Sequence, residues 1–349
     1  MKYSHCLTVL CCSLLAVSGC KKDTAVSESD IPETTQNFKD GLTATVTKPF
    51  TVMTIAGKPN VEGYKDGIGK DALFASAFGI ELANDGNLLI ADVRNNKIRK
   101  VTQGGVVSTL NIPNAADGSK LLNPYIVKQA KDGTIAIFAY QFEYDSKYKF
   151  WIYKPGAKPL AITGNKNGYY GGFSADPYYN YYWTCGLEFT TAGMRGFIEK
   201  ILPDGKQGVD TYYLAPDRLI PEDLNFPSVS KIFSGYNGVK YIVVNNTHIY
   251  KYTPSGELTR IFSNFIYGGV DDIIGNKDSR SIYLTSGGKI YSISNNQVKY
   301  LVGPQEPRDG HDGIGKAADV YAYNLALSQD ENTIYFTDTH RTVRKVLLK

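Results

Sequence analysis

Two runs end in an aspartate and pass straight into amides and cations. NLLIAD at 87–92 leads to Arg94, Asn95 and Asn96, and TIYFTD at 333–338 leads to His340 and Arg341. A carboxylate among such groups can hold the hydroxyls of a polar ligand. Asp92 and Asp338 can equally cap their own hairpins through Asx-type bonds to nearby backbone amides. A second group is aromatic: Tyr140, Phe142, Tyr144 and Tyr148 crowd one predicted loop, and Tyr169, Tyr170, Tyr178 and Tyr179 fall in others expected on the same face, in a chain with 26 tyrosines. Flat rings with a polar tip give rigid contact area at small entropic cost and stack on sugars or partner surfaces. Packing between neighbouring sheets is their other use. The candidate ligand-binding set is Asp92, Arg94, Asn95, Asn96, Tyr140, Phe142, Tyr144, Tyr170, Asp338, His340 and Arg341.

Other residue combinations carry less. His248, His311 and His340 could supply a zinc site, but they fall at unequal positions in their segments and read more simply as surface histidines. DGIGK at 66–70 lacks the full phosphate-loop spacing and opens no predicted helix, so its glycines read as turn residues with positive φ. Asp309 and Asp312 do not complete an EF-hand loop. Cys185 has no histidine beside it in sequence, which leaves a nucleophile unsupported. No cofactor is expected. A divalent metal on the same surface is the alternative, as in a metal-dependent hydrolase or lyase.

The elements that must position these residues repeat. KDGIGKDA at 65–72 returns as HDGIGKAA at 311–318, and NLLIAD returns as TIYFTD, both at an offset of 246 residues. Similar strand-like runs between them (TIAIFA at 134, NYYWTC at 180, KYIVVN at 240, SIYLTS at 281) give a mean period of about 49 residues. Each is followed by a second strand, a turn and a third strand rich in β-branched and aromatic residues. The sixth unit stops at Lys349 without its third strand, and VMTIAG at 52–57 has the right type to supply it. Lending that strand closes a ring and removes exposed sheet edges. The expected fold is all-β: a six-bladed β-propeller over 48–349, closed by an N-terminal strand added to the last blade. Loops entering the innermost strands and loops after the Asp92-type positions then share one funnel face, the default binding site.

GIELANDGNLLIADVRNNKIRKVTQGGVVSTL resembles the NHL repeat of β-propeller proteins, closely in blade 1, fairly in blade 6 and poorly between. Lactonase-type six-bladed propellers hold a divalent metal with Glu, Asn and Asp at the axial starts of blades. The equivalent positions here run Phe78, Phe226, Val270 and Tyr323, with Asp271 and Asn324 the only nearby candidates. That departure argues against a sugar lactonase. Cys185 stands at the blade-end aspartate position of blade 3.

The N-terminus reads as an address. Cys6 to Val17 is apolar, long enough for a signal peptide and too short to span a membrane. It ends in Val17-Ser18-Gly19-Cys20, which resembles the lipobox of bacterial lipoproteins, and by that resemblance Cys20 becomes an acylated (palmitate-type) first residue. Residues 1–19 are then a leader and 20–47, polar and aperiodic, a flexible tether. The Lys21-Lys22-Asp23 start resembles lipoproteins of Bacteroides and its relatives. The expected place is the outer membrane, lipid-anchored, with surface display. A net charge of +4 on 349 residues gives no nucleic-acid footprint. The expected partner is a glycan or envelope protein, bound without catalysis by a monomer.

Overall fold

The computed structural model describes residues 48–349, apart from 142–146, 216–217, 220–222, 224, 263–268 and 305–308. The leader, Cys20, the tether, Phe142 and Tyr144 lie outside the described residues.

The described chain is almost entirely β-strand, in six antiparallel sheets arranged as the blades of a propeller. Innermost strands run Ala77–Leu82, Pro124–Gln129, Gly168–Ala175, Val229–Ser234, Val270–Gly275 and Ala322–Leu327 in blades 1 to 6. The strands after them run Leu88–Asp92, Ile135–Gln141, Tyr182–Thr190, Lys240–Val244, Ser281–Ser286 and Thr333–Asp338. The ring closes as the repeat arithmetic requires. Val52–Ala56 pairs antiparallel with Thr342–Leu347, with Val52 opposite Val346 and Thr54 opposite Arg344.

The second strands are rich in apolar residues on both faces because both are covered. In Leu88–Asp92 every residue is buried; Leu88 and Ile90 pack toward blade 6, while Leu89 and Ala91 pack toward blade 2. The core is therefore six wedges of apolar side chains, one at each interface between blades. Between blades 2 and 3 the wedge is aromatic: Phe150 lies 5.3 Å from Tyr170 and 5.6 Å from Phe173, and Phe173 stacks on Tyr182 at 5.3 Å.

Both DGIGK loops prove to be clamps. Asp66 accepts from the amide and hydroxyl of Thr109, and Asp312 accepts in the same way from Thr54. Each loop thereby pins the outer strand of its blade, Val106–Thr109 or Val52–Ala56. Gly67–Ile68 also pairs with Val106–Val107, making blade 1 five-stranded and covering its edge. The expected positive φ is present at Gly69 (+55°) and Gly315 (+54°), each opening a single 3₁₀ turn.

Three local expectations need correction. Tyr140 and Tyr148 lie in the strands Ile135–Gln141 and Lys147–Tyr153, and Tyr169 and Tyr170 in the innermost strand of blade 3, rather than in loops, while Tyr178 and Tyr179 follow that strand, at the end of the blade away from the funnel. Blade 4 starts at Val229, so Phe226 precedes the axial strand. Cys185 is not at a blade end: its strand continues to Thr190, and Cys185 sits mid-strand opposite Ile198. Its thiol is fully buried, which pushes its pKa up to about 12 and leaves it inert as a nucleophile at neutral pH.

Candidate functional site

Antiparallel pairing puts the starts of the innermost strands and the ends of the second strands on one face, as the repeat pattern implied. Most of the polar residues expected to bind a ligand there are engaged in holding the blades. Asp92 is fully buried; one oxygen accepts from the amides of Ala75 and Ser76, and the other from Asn95 Nδ2 at 2.7 Å and Arg99 Nη1 at 2.9 Å. Arg99 continues to Asp66 at 2.6 Å, with the rings of Tyr64 and Phe74 each 5.1 Å from its guanidinium. Blade 6 repeats the arrangement: Asp338 accepts from the His340 amide, Thr342 and Arg344, and Arg344 continues to Asp312 at 2.7 Å. Asn96 takes φ of 55° and accepts from the Asn123 amide. Arg94 and Arg341 converge on Glu62 at 2.7 and 3.4 Å.

The three histidines stay apart in role. His340 is buried against Asp338, His248 Nδ1 lies 2.9 Å from Asp223, and His311 is exposed beside Asp319. Among the described residues no three His, Cys, Asp or Glu side chains come together in a way that could hold a metal ion. The axial positions Phe78, Val270 and Tyr323 carry no ligating atom suited to a divalent ion. The donor set of a lactonase-type metal therefore does not fit this site.

The space lies on the axis. Every innermost strand breaks register near its funnel end: between Ala77 and Ile80, Pro124 and Ile126, Tyr170 and Gly172, Val229 and Lys231, Val270 and Asp272, and Ala322 and Leu325. A bulge adds a residue and re-aims side chains. Here Phe78, Tyr125, Asp271 and Asn324 fall in the breaks and line an axial cavity of about 430 Å³. Gly79 and Gly171 allow the strands to crowd together: a Cβ on Gly79 would lie 2.3 Å from the Tyr125 carbonyl, and one on Gly171 2.7 Å from Ser230.

Aromatic rings gather at the funnel end. Tyr140 and Tyr148, 4.8 Å apart, are part-buried on the cavity wall, and Phe78 lies 5.5 Å from Tyr125 and 4.9 Å from Tyr323. Tyr170 also lines the wall but is 4% exposed, its ring edge-on to Phe150 and Phe197. Ile80, Ser174 and Ile274, farther along their strands, are buried and line the cavity too.

Its polar groups come from several blades. Lys128 pairs with Glu81 at 2.9 Å, and Asp272 accepts from the Leu325 amide at 2.8 Å. Burial alone would lower the Lys128 pKa, but Glu81 and Asp272 together hold it above the usual lysine value. Burial raises Asp272 despite Lys128 and Lys231. It pushes Asp271 up to about 6, against the pull of Lys231 and with a further push from Asp272. The site thus joins apolar ring faces to donors and acceptors in a concave, partly dry space of ordinary small-ligand size. Of the residues singled out in the sequence, Phe78, Tyr140, Tyr148, Tyr170, Asp271 and Asn324 reach it, whereas Lys128, Lys231 and Asp272 were not foreseen. The signal for these was charge inside strand-like runs, as in SVSKIF and GVDDIIG.

No known family profile matches the chain, and no curated protein matches it in sequence. Solved structures share its fold. A protein of unknown function from Bacteroides thetaiotaomicron superposes with a TM-score of 0.63 at 15% identity, over 86% of this chain and 76% of its own. An auxiliary nutrient binding protein from Bacteroides ovatus gives 0.62 at 14% identity, over 85% and 76%. A gluconolactonase from Xanthomonas campestris gives 0.56 at 10% identity, over 87% and 99%. At these identities the likeness is one of fold.

Proposed function

We propose that the protein is a lipid-anchored binding module of the cell envelope, non-catalytic, that captures a glycan fragment in its axial cavity. The observation that carries this reading is the cavity itself, about 430 Å³, lined by aromatic rings together with amide, ammonium and carboxylate groups. Sugars present both a C–H face for rings and hydroxyls for such groups. The fold shared with auxiliary nutrient binding proteins of Bacteroides supports it. So does the lipobox-like end of the leader, which would place acylated Cys20 in the outer membrane. Residues 20–47 would then form a tether with a root-mean-square span of roughly 30 Å.

A thermal-shift screen of the full chain in detergent, against oligosaccharides and divalent metals with and without chelator, tests this. A ligand at 100 times its Kd adds about 2.7 kcal/mol, enough to raise the Tm by roughly several degrees. A sugar-dependent rise that survives chelation is expected. A rise with metal alone, accompanied by turnover of a lactone or ester, would replace this reading with that of a hydrolase. Replacing Cys20 (Cys20→Ala) should move the protein from the membrane fraction to the soluble one.

A further inference from the structure

We propose that the axial cavity selects a neutral sugar unit over a carboxylated one, with Asn324 and Lys231 donating to its hydroxyl oxygens and Asp271 accepting from a hydroxyl. The proposal rests on the reading that the cavity holds a glycan.

The cavity wall carries unused hydrogen-bonding capacity. Asn324 is 8% exposed, and its Nδ2 has no hydrogen-bond partner among the described residues. Native proteins seldom leave a buried amide unpaired, because the water it gave up is not replaced. Asn324 lines the cavity from blade 6 and Lys231 lines it from blade 4, where its ammonium makes no hydrogen bond among the described residues. Asp271 lies between them on blade 5 and accepts from the Gly287 amide, which leaves further lone pairs for a ligand. The other charged groups are occupied: Lys128 with Glu81, and Asp272 with the Leu325 amide.

Free donors on two blades and a free acceptor between them match a group that both donates and accepts. Adjacent hydroxyls on a sugar ring do this; a carboxylate only accepts. Charge does not favour an acidic sugar: among the residues that line the cavity Asp271 and Asp272 balance Lys128 and Lys231, and Lys128 is already paired with Glu81. The rings of Phe78 and Tyr125 supply an apolar surface against which the C–H face can lie.

This arrangement also makes binding depend on pH. Lys231 of blade 4, Tyr323 of blade 6 and Asp272 on the same strand are the titratable groups that act on Asp271. Their balance with burial leaves Asp271 titrating at about 6. A hydroxyl that donates to the carboxylate favours the ionised form, so affinity for a neutral sugar falls as pH drops through that value.

The test is isothermal titration of the full chain in detergent with cellotriose, xylotriose, mannotriose and galactotriose, against trigalacturonate. At least one neutral trisaccharide should bind ten times or more tighter than trigalacturonate. Asn324→Ala should weaken it about 3- to 10-fold, the equivalent of one lost hydrogen bond, with an unchanged Tm, because the amide makes no bond in the free protein. Affinity should decline below about pH 6 in the wild type and stay level in Asp271→Asn. Trigalacturonate binding as tightly as the neutral sugars would overturn the selection. Neutral binding indifferent to Asn324→Ala and to pH would overturn the residue roles while leaving glycan capture standing. No binding of either class would remove the glycan reading and this proposal with it.

Discussion

Asp271 is poorly solvated for a carboxylate, and that has a cost in the free protein. Its pKa in the fold is about 6 against an ordinary 3.8, because burial penalises the charged form. Between those values the folded chain keeps a proton that the unfolded chain has released, so stability falls as pH rises from about 4 to about 6. Asp271→Asn should therefore melt higher than wild type at pH 7.5, with the difference vanishing near pH 4; melting curves across that range check it, and a lower Tm at pH 7.5 would contradict it. Such residues were only partly legible in the sequence. Asp271 and Asn324 stood out as polar groups near the axis, but a bulge in each innermost strand breaks the period of two on which any inward or outward assignment depends. Tyr140 and Tyr170 were legible as aromatic, though not that Tyr170 is mostly packed between blades.

At the scale of elements, the repeated motif serves cohesion. The chain Asp92–Arg99–Asp66 and its counterpart Asp338–Arg344–Asp312 tie a blade hairpin to a DGIGK loop, and the loop ties down the outer strand. Asp92 is the fully buried partner of Arg99, whereas Asp66 is half exposed, so removing Asp92 leaves the Arg99 charge under-compensated in a low dielectric, at up to about 3–5 kcal/mol. Asp92→Ala should destabilise by that order, measured by urea unfolding. The double variant with Arg99→Leu should recover much of the loss, since no charge is then stranded. Equal losses in the single and double variants would show that the pair is not what holds the loop. The two phrases sharing one offset revealed the repeat in the sequence, not the ion pairs that join its parts. What they could not reveal was its purpose, because a buried clamp and an exposed binding loop use the same residue types.

Over the whole molecule, stability is spread over six interfaces, and the ring must close for all six to form. A chain beginning at residue 48 should fold with an undiminished Tm, whereas one beginning at residue 58 lacks Val52–Ala56 and exposes the edge of Thr342–Leu347. The shorter chain should aggregate or melt well below the longer one in light-scattering and calorimetric scans. Period and swapped strand were legible here because they are properties of spacing, which survives local irregularity. The axial cavity was not, because it depends on where six strands stop touching.

Glycan capture on the axis requires that this cavity hold the ligand. Difference electron density from a crystal soaked with the neutral trisaccharide of highest affinity tests it most directly. Density for a sugar ring on the axis, between the rings of Phe78 and Tyr125 and the polar groups of Lys231, Asp271 and Asn324, is the predicted result. A ring bound elsewhere, against the exposed Tyr178 and Tyr179 at the opposite end of blade 3 with the axis empty, would contradict it.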